Sequence, residues 1–122
     1  MSPRLRNAGG FTLIEVFISI FIMVVALTGV VAVAVSVING NTFSKEITTA
    51  TTLAMDKMEM LKNTRYLGLQ GGGPETLQTS YTRTWTITND TPAAGLKTIL
   101  VRVSWNRFGR GHNVTLNTIM AQ

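Results

Sequence analysis

Cysteine is absent from this 122-residue chain. Neither a disulfide framework nor a thiolate metal site can therefore form, although the absence does not identify the redox compartment. Histidine occurs once, as His112 beside a glycine-rich turn, where a solvated side chain is expected. No acidic residues cluster either, so the parts of a metal or nucleophile site are missing. We therefore expect no catalytic residue, no metal ligand and no bound cofactor.

Charge is missing from one long segment near the N-terminus. The 20 residues from Val16 to Val35 contain no Asp, Glu, Lys or Arg, which is long enough to cross a bilayer as a helix. Their many Val and Ile residues would suit a strand, but the length of the segment favours a helix. Glu15 stands directly before this segment, and a carboxylate at the bilayer centre costs roughly 3 kcal/mol. The sequence therefore indicates that Glu15 has a function.

Two general interpretations account for the apolar segment. In the first it is a secretory signal peptide, with Arg4 and Arg6 as the basic region and Ala32-Val33-Ala34 as a cleavage site. The length of the segment and the presence of Glu15 argue against this. In the second it is a plain single-pass anchor, with Glu15 reaching the membrane interface. This interpretation leaves the Gly-Gly-Phe sequence before the acid unexplained.

A third interpretation comes from the stretch Gly10-Phe11-Thr12-Leu13-Ile14-Glu15, which resembles the N-terminal signature of type IV prepilins and pseudopilins. The resemblance implies that prepilin peptidase removes a leader, residues 1–10, by cutting between Gly10 and Phe11, and that it methylates the new Phe11 amine. The apolar helix would be retained. The resemblance also implies that Glu15 neutralises the Phe11 amine of a neighbouring subunit and sets the axial register. Because an unpaired buried charge is strongly penalised, Glu15 would confer specificity more than affinity.

The helix is predicted to extend beyond the membrane. Residues 11–38 form its transmembrane and filament-core part, and residues 39–67 an amphipathic continuation, with helix to about Arg65. Gly40 is the weakest point, since glycine costs about 1 kcal/mol relative to alanine in a helix. After it, apolar residues recur at helical spacing and predict a buried stripe: Ile47, Ala50, Ala54, Met58 and Leu61.

The C-terminal part predicts a small antiparallel sheet. Residues 68–79 are expected to be a glycine-rich loop, and three strands follow over Ser80–Thr88, Leu96–Trp105 and Val114–Met120. Arg83 is expected to reach water from the apolar face, and Lys97 to sit at its rim. The fold class is therefore α+β, a pilin-like lollipop with a long N-terminal helix packed against about three strands. Residues 39–67 and 80–122 would form one globular domain.

The predicted loop Asn106–Gly111 places Arg107 and Arg110 on either side of Phe108. This combination suits contact with DNA or a partner, but it is equally common in ordinary turns. The other basic residues are scattered rather than gathered into a stripe, which argues against nucleic acid as a partner.

Two weaker resemblances concern the type of subunit. Residues Ala54–Leu61 resemble the helix of PilV-type minor pilins, and Lys97–Trp105 resemble a strand of the same group and of small type II secretion pseudopilins. The chain lacks the paired C-terminal cysteines of many major pilins, and it has no proline between Phe11 and Gln70. These features favour a minor pilin without enzymatic activity.

The expected partners are prepilin peptidase, the inner membrane and other pilin subunits. The leader would be cytoplasmic and the C-terminal domain periplasmic until the subunit enters a pilus. The alternatives are a type II secretion or competence pseudopilin in a periplasmic pseudopilus, or an uncleaved single-pass membrane protein with a ligand-binding β-domain.

Overall fold

The computed structural model describes residues 9–122. Arg4, Arg6 and the rest of the predicted leader before Gly9 lie outside the described residues. The elements are a helix α1 (Leu13–Asn63), a short 3-10 turn (Tyr66–Gly68) and four strands, β1 (Gly72–Leu77), β2 (Tyr81–Asn89), β3 (Leu96–Arg107) and β4 (Arg110–Ala121). The chain divides into a first unit that ends at Asn41 and a second unit from Thr42 to Gln122.

In the first unit, every side chain from Phe11 to Asn41 is exposed. Among the described residues, one helix is long and apolar enough to cross a membrane, and its apolar window belongs to this unit. Gly40 lies within α1, so the helix is not broken there.

The sheet of the second unit is antiparallel, with the strand order β1-β2-β3-β4. The prediction of three strands was wrong, because β1 lies within the expected loop 68–79. Gly72 pairs with Trp85, and a Cβ at Gly72 would lie 2.8 Å from Cζ2 of that indole. The glycine that suggests a loop is therefore the residue that leaves room for the Trp85 ring on the neighbouring strand.

The core of the second unit lies between the C-terminal half of α1 and the inner face of the sheet. Ala50 and Ala54 are fully buried on α1 and belong to the same hydrophobic cluster as the inward residues of β3. The opposite side of the core is a row of β3 residues on one face: Ile99, Val101, Val103 and Trp105. Burying each large side chain of this kind contributes about 1.5–3 kcal/mol. Sheet and helix therefore stabilise each other.

The predicted helix stripe needs one correction. Ala50, Ala54, Met58 and Leu61 are buried as expected, but Ile47 remains 37% exposed. Phe43 and Leu53 pack against the core instead. The buried stripe of α1 therefore runs through Ala50, Ala54, Met58 and Leu61, and Ile47 lies outside it.

The turn between β3 and β4 is shorter than predicted. The two strands pair up to Arg107 and Arg110, which leaves Phe108 and Gly109 as a two-residue turn. Both have positive φ, +50° and +74°, as in the type I′ turns that match the twist of a hairpin.

Candidate processing and assembly site

The bond between Gly10 and Phe11 lies in exposed, non-helical chain just before α1. A Cβ added at Gly9 or Gly10 would meet no atom within 4 Å, and Phe11 is 84% exposed. No described side chain covers the bond, so its backbone is open to another protein. The structure therefore places the predicted cleavage residues where a peptidase could reach them.

Thr12 organises the start of α1. The Glu15 N–H lies 3.0 Å from the Thr12 carbonyl oxygen and 3.3 Å from its Oγ1. A Thr whose hydroxyl accepts this bond three residues before a Glu is half of a capping box. Thr12 is not among the predicted site residues, although the sequence pattern Thr-x-x-Glu indicates such a cap.

Glu15 is exposed in the first turn of α1. A carboxylate at this end of a helix is stabilised by the helix dipole, by about 0.3–1 kcal/mol. Phe11 precedes it by four residues, and the Phe11 nitrogen becomes an amine only when the bond to Gly10 is cut. The structure thus provides the carboxylate close to the site where that positive charge would appear.

Two hydroxyl groups on the apolar surface after Glu15 are satisfied within the helix. Ser19 Oγ donates to the Glu15 carbonyl at 2.7 Å, and Thr28 Oγ1 donates to the Val25 carbonyl at 2.7 Å. Such internal bonds allow hydroxyl residues to enter an apolar environment. Small residues also leave a shallow apolar groove on this part of the helix, lined by Ala26, Gly29, Val30, Val33 and Ala34.

The second unit contains a buried guanidinium that the sequence analysis placed in water. Arg83 is only 6% exposed; its Nη1 donates to the Leu53 carbonyl at 2.8 Å and its Nη2 to Glu75 at 2.8 Å. The hydrogen bonds that Arg83 Nε and Nη2 donate to Glu75 hold the pKa of its carboxyl below the ordinary value, and the charges of Arg83 and Lys57 act in the same direction. Lys57 Nζ also lies 3.6 Å from the centroid of a Trp85 ring. The arrangement ties α1, β1 and β2 together.

Lys97 is likewise buried rather than at the rim. It is 9% exposed, and its Nζ donates to the Tyr66 carbonyl at 2.8 Å. The ammonium also lies 4.4 Å from the Tyr66 ring centroid. Lys97 therefore attaches the 3-10 turn after α1 to strand β3.

His112 is part of a strand, not of a solvated turn. It lies in β4, half-buried, with its ring centroid 5.6 Å from that of Trp105 and 5.1 Å from that of Phe43. The expectation failed because β4 begins at Arg110, so that His112 falls on the inward side of the alternation. The residue is packed between aromatic rings and has a structural role.

Glu46 connects this aromatic cluster to the hairpin. Trp105 Nε1 donates to its Oε2 at 3.2 Å, and Arg107 Nη1 lies 3.6 Å from the same oxygen. Among residues 9–122, no group of three or more His, Cys, Asp or Glu side chains could hold a metal ion. Glu46 thus links α1 to Trp105 and Arg107 of β3.

Comparison with known proteins gives no family assignment: no protein-family model, no curated protein and no solved structure matches this chain.

Proposed function

We propose that this chain is a non-enzymatic filament subunit of the minor type IV pilin kind. It is inserted in the inner membrane, cut after Gly10 by prepilin peptidase, methylated at Phe11 and incorporated into a pilus. One observation carries the proposal: an exposed, non-helical Gly10–Phe11 bond directly precedes a capped helix that has Glu15 in its first turn. An uncovered apolar helix surface then follows, and it can serve first in the membrane and later against other subunits.

The geometry gives each step a physical reason. A peptidase requires accessible backbone, and the residues from Gly9 to Thr12 are exposed and outside the helix. Cutting leaves a helix that begins close to its new N-terminus. A free amine there is unfavourable in an apolar filament core unless a carboxylate meets it. Glu15 of a neighbouring subunit would provide that carboxylate.

Processing is tested by producing the full chain with and without prepilin peptidase and measuring the intact mass. We expect loss of residues 1–10 only when the peptidase is present. Gly10→Val should block the cut, whereas Gly9→Val, the matched control, should be processed. Neither site has an atom within 4 Å of an added Cβ, so neither substitution disturbs the described structure.

The outcomes separate the competing functions. A chain that retains Met1 in the presence of active peptidase is an uncleaved membrane protein, and the proposal is then wrong. A chain cut after Ala34 is a secreted protein that has lost its apolar segment. A processed chain found in a periplasmic filament, rather than in surface pili, is a pseudopilin.

A further inference from the structure

The tip of the β3–β4 hairpin combines two unfavourable features in one residue. Phe108 is 87% exposed, and its φ of +50° lies in the left-handed region. Asn or Gly is preferred at this position of a two-residue turn, because a bulky side chain is strained there. Phe108 is strained and exposed, and the contact recorded for its ring is with the neighbouring Arg107, so the ring points to a contact outside the chain.

The tip is also basic and held in place. Arg107 Nη1 lies 3.6 Å from Glu46 Oε2, and its guanidinium carbon is 5.7 Å from the Phe43 ring centroid and 5.1 Å from that of Phe108. Arg110 is exposed and forms no ion pair within residues 9–122. Residues 42–122 contain nine Lys and Arg against five Asp and Glu, a net charge of +4. The tip therefore presents an apolar ring beside cations, which suits an anionic surface.

The connection between the predicted transmembrane residues and the tip is short. Arg107 contacts Phe43, and Phe43 follows Ile38, the last residue of the predicted transmembrane part, by five positions. Five residues span at most about 18 Å even when fully extended. The lipid headgroup layer adds roughly 5–7 Å on each side of the hydrocarbon core. The connection is thus short enough that the second unit can bring Phe108 to the headgroups when residues 11–38 span a bilayer.

We propose that the β3–β4 tip is a membrane-docking element, in which the Phe108 ring enters the headgroup boundary of an anionic bilayer and Arg110 contacts lipid phosphates. This docking proposal rests on the proposed function only in requiring that residues 11–38 cross the membrane. Docking would hold the domain on the bilayer before assembly. The opposite end of the sheet differs, since its turn carries Asp90 and no large apolar side chain.

The absence of cysteine allows a unique label at either end of the sheet. Asn106→Cys places a fluorophore beside the tip, and Ala94→Cys places it at the opposite turn; both positions are exposed. The full chain is reconstituted in phosphatidylethanolamine–phosphatidylglycerol vesicles that contain a headgroup-nitroxide lipid quencher. We expect strong quenching at 106 and little at 94. Neutral phosphatidylcholine vesicles should reduce the quenching at 106.

Two further substitutions, each made in the Asn106→Cys chain, identify the contact. Arg110→Gln should lower the ratio of docked to undocked tip about fivefold, and Phe108→Asn about tenfold. Because Asn suits the turn better than Phe, Phe108→Asn should also raise the stability of the sheet against urea. A loss of docking in that variant is therefore not a loss of fold.

The contradicting results are distinct. If the chain integrates and the label at 106 is quenched no more than the label at 94, the docking proposal is wrong and the proposed function stands. Cross-linking between two chains through position 106, without quenching, would assign the tip to a second copy and also overturn docking. A chain that fails to integrate into the bilayer contradicts both proposals.

Discussion

The first turn of α1 gives Glu15 two roles that can be separated by substitution. Its backbone N–H takes part in the Thr12 cap at 3.3 Å, while its carboxylate is the proposed partner of the Phe11 amine. Glu15→Gln keeps a residue that suits a capping box but removes the charge. Thr12→Ala removes the cap and keeps the charge. Glu15→Ala removes the carboxylate altogether.

The two roles differ in magnitude. Loss of a Thr cap costs about 1 kcal/mol, or about a fivefold change in an equilibrium. Leaving a buried ammonium without its partner costs about 3–5 kcal/mol, which is more than a hundredfold. If the charge is what assembly requires, Glu15→Gln should fail as severely as Glu15→Ala. Thr12→Ala should then reduce assembly about fivefold at most, and Thr12→Ser should resemble the wild type.

The assay is the amount of each variant in sheared filaments relative to the membrane pool, by quantitative immunoblotting. All variants should still be cut after Gly10, because none alters the Gly10–Phe11 bond; intact mass confirms this for each pool. Wild-type incorporation of Glu15→Gln would refute the charge role. Equal defects in Thr12→Ala and Glu15→Ala would show that Glu15 acts by starting the helix.

Two predictions concern the second unit, and both are measured as urea unfolding of the detergent-solubilised chain followed by tryptophan fluorescence. Gly73→Ala should lower the free energy of unfolding by about 2 kcal/mol or more, because φ at Gly73 is +103° and the new Cβ would lie 2.9 Å from the Arg83 carbonyl oxygen. The control Gly95→Ala has a φ of +79° but no atom within 4 Å of the new Cβ, so it should lose only about 1 kcal/mol. Equal losses in the two variants would contradict the close packing at Gly73. The lowered pKa of Glu75 means that its stabilising contribution is complete above the ordinary carboxyl value of 4.5 and is lost as pH falls through the folded value. Glu75→Gln should therefore be less stable than the wild type at pH 7, and the two should converge in acid; a difference that does not depend on pH would refute the pairing with Arg83.

The sequence predicted those elements in which the spacing of apolar residues matches the period of a strand or a helix. The alternation in β3 correctly indicated that Ile99, Val101 and Val103 share a buried face. The helical spacing in α1 correctly indicated that Ala50, Ala54 and Met58 are buried. In these segments the apolar residues recur with the period of the element and all lie on its buried face, so a single sequence is enough to predict which residues are buried.

The errors arose where a distant residue decides the outcome. β1 reads as a loop because its glycines have low strand propensity, and only the Trp85 ring on the next strand explains Gly72. Arg83 is buried because Glu75 and the Leu53 carbonyl take up its hydrogen bonds. His112 could have been recognised by extending the alternation of Val114 backwards by one step. Thr12 was missed although its motif is local.

The central claim is that the chain is cut once, after Gly10, and keeps its apolar helix in the filament. The most direct measurement is mass spectrometry of the N-terminal peptide of this chain recovered from sheared filaments. The account predicts a peptide that begins with N-methylated Phe11 and contains Glu15. A filament-bound chain that still begins at Met1, or one that begins after Ala34, would contradict it.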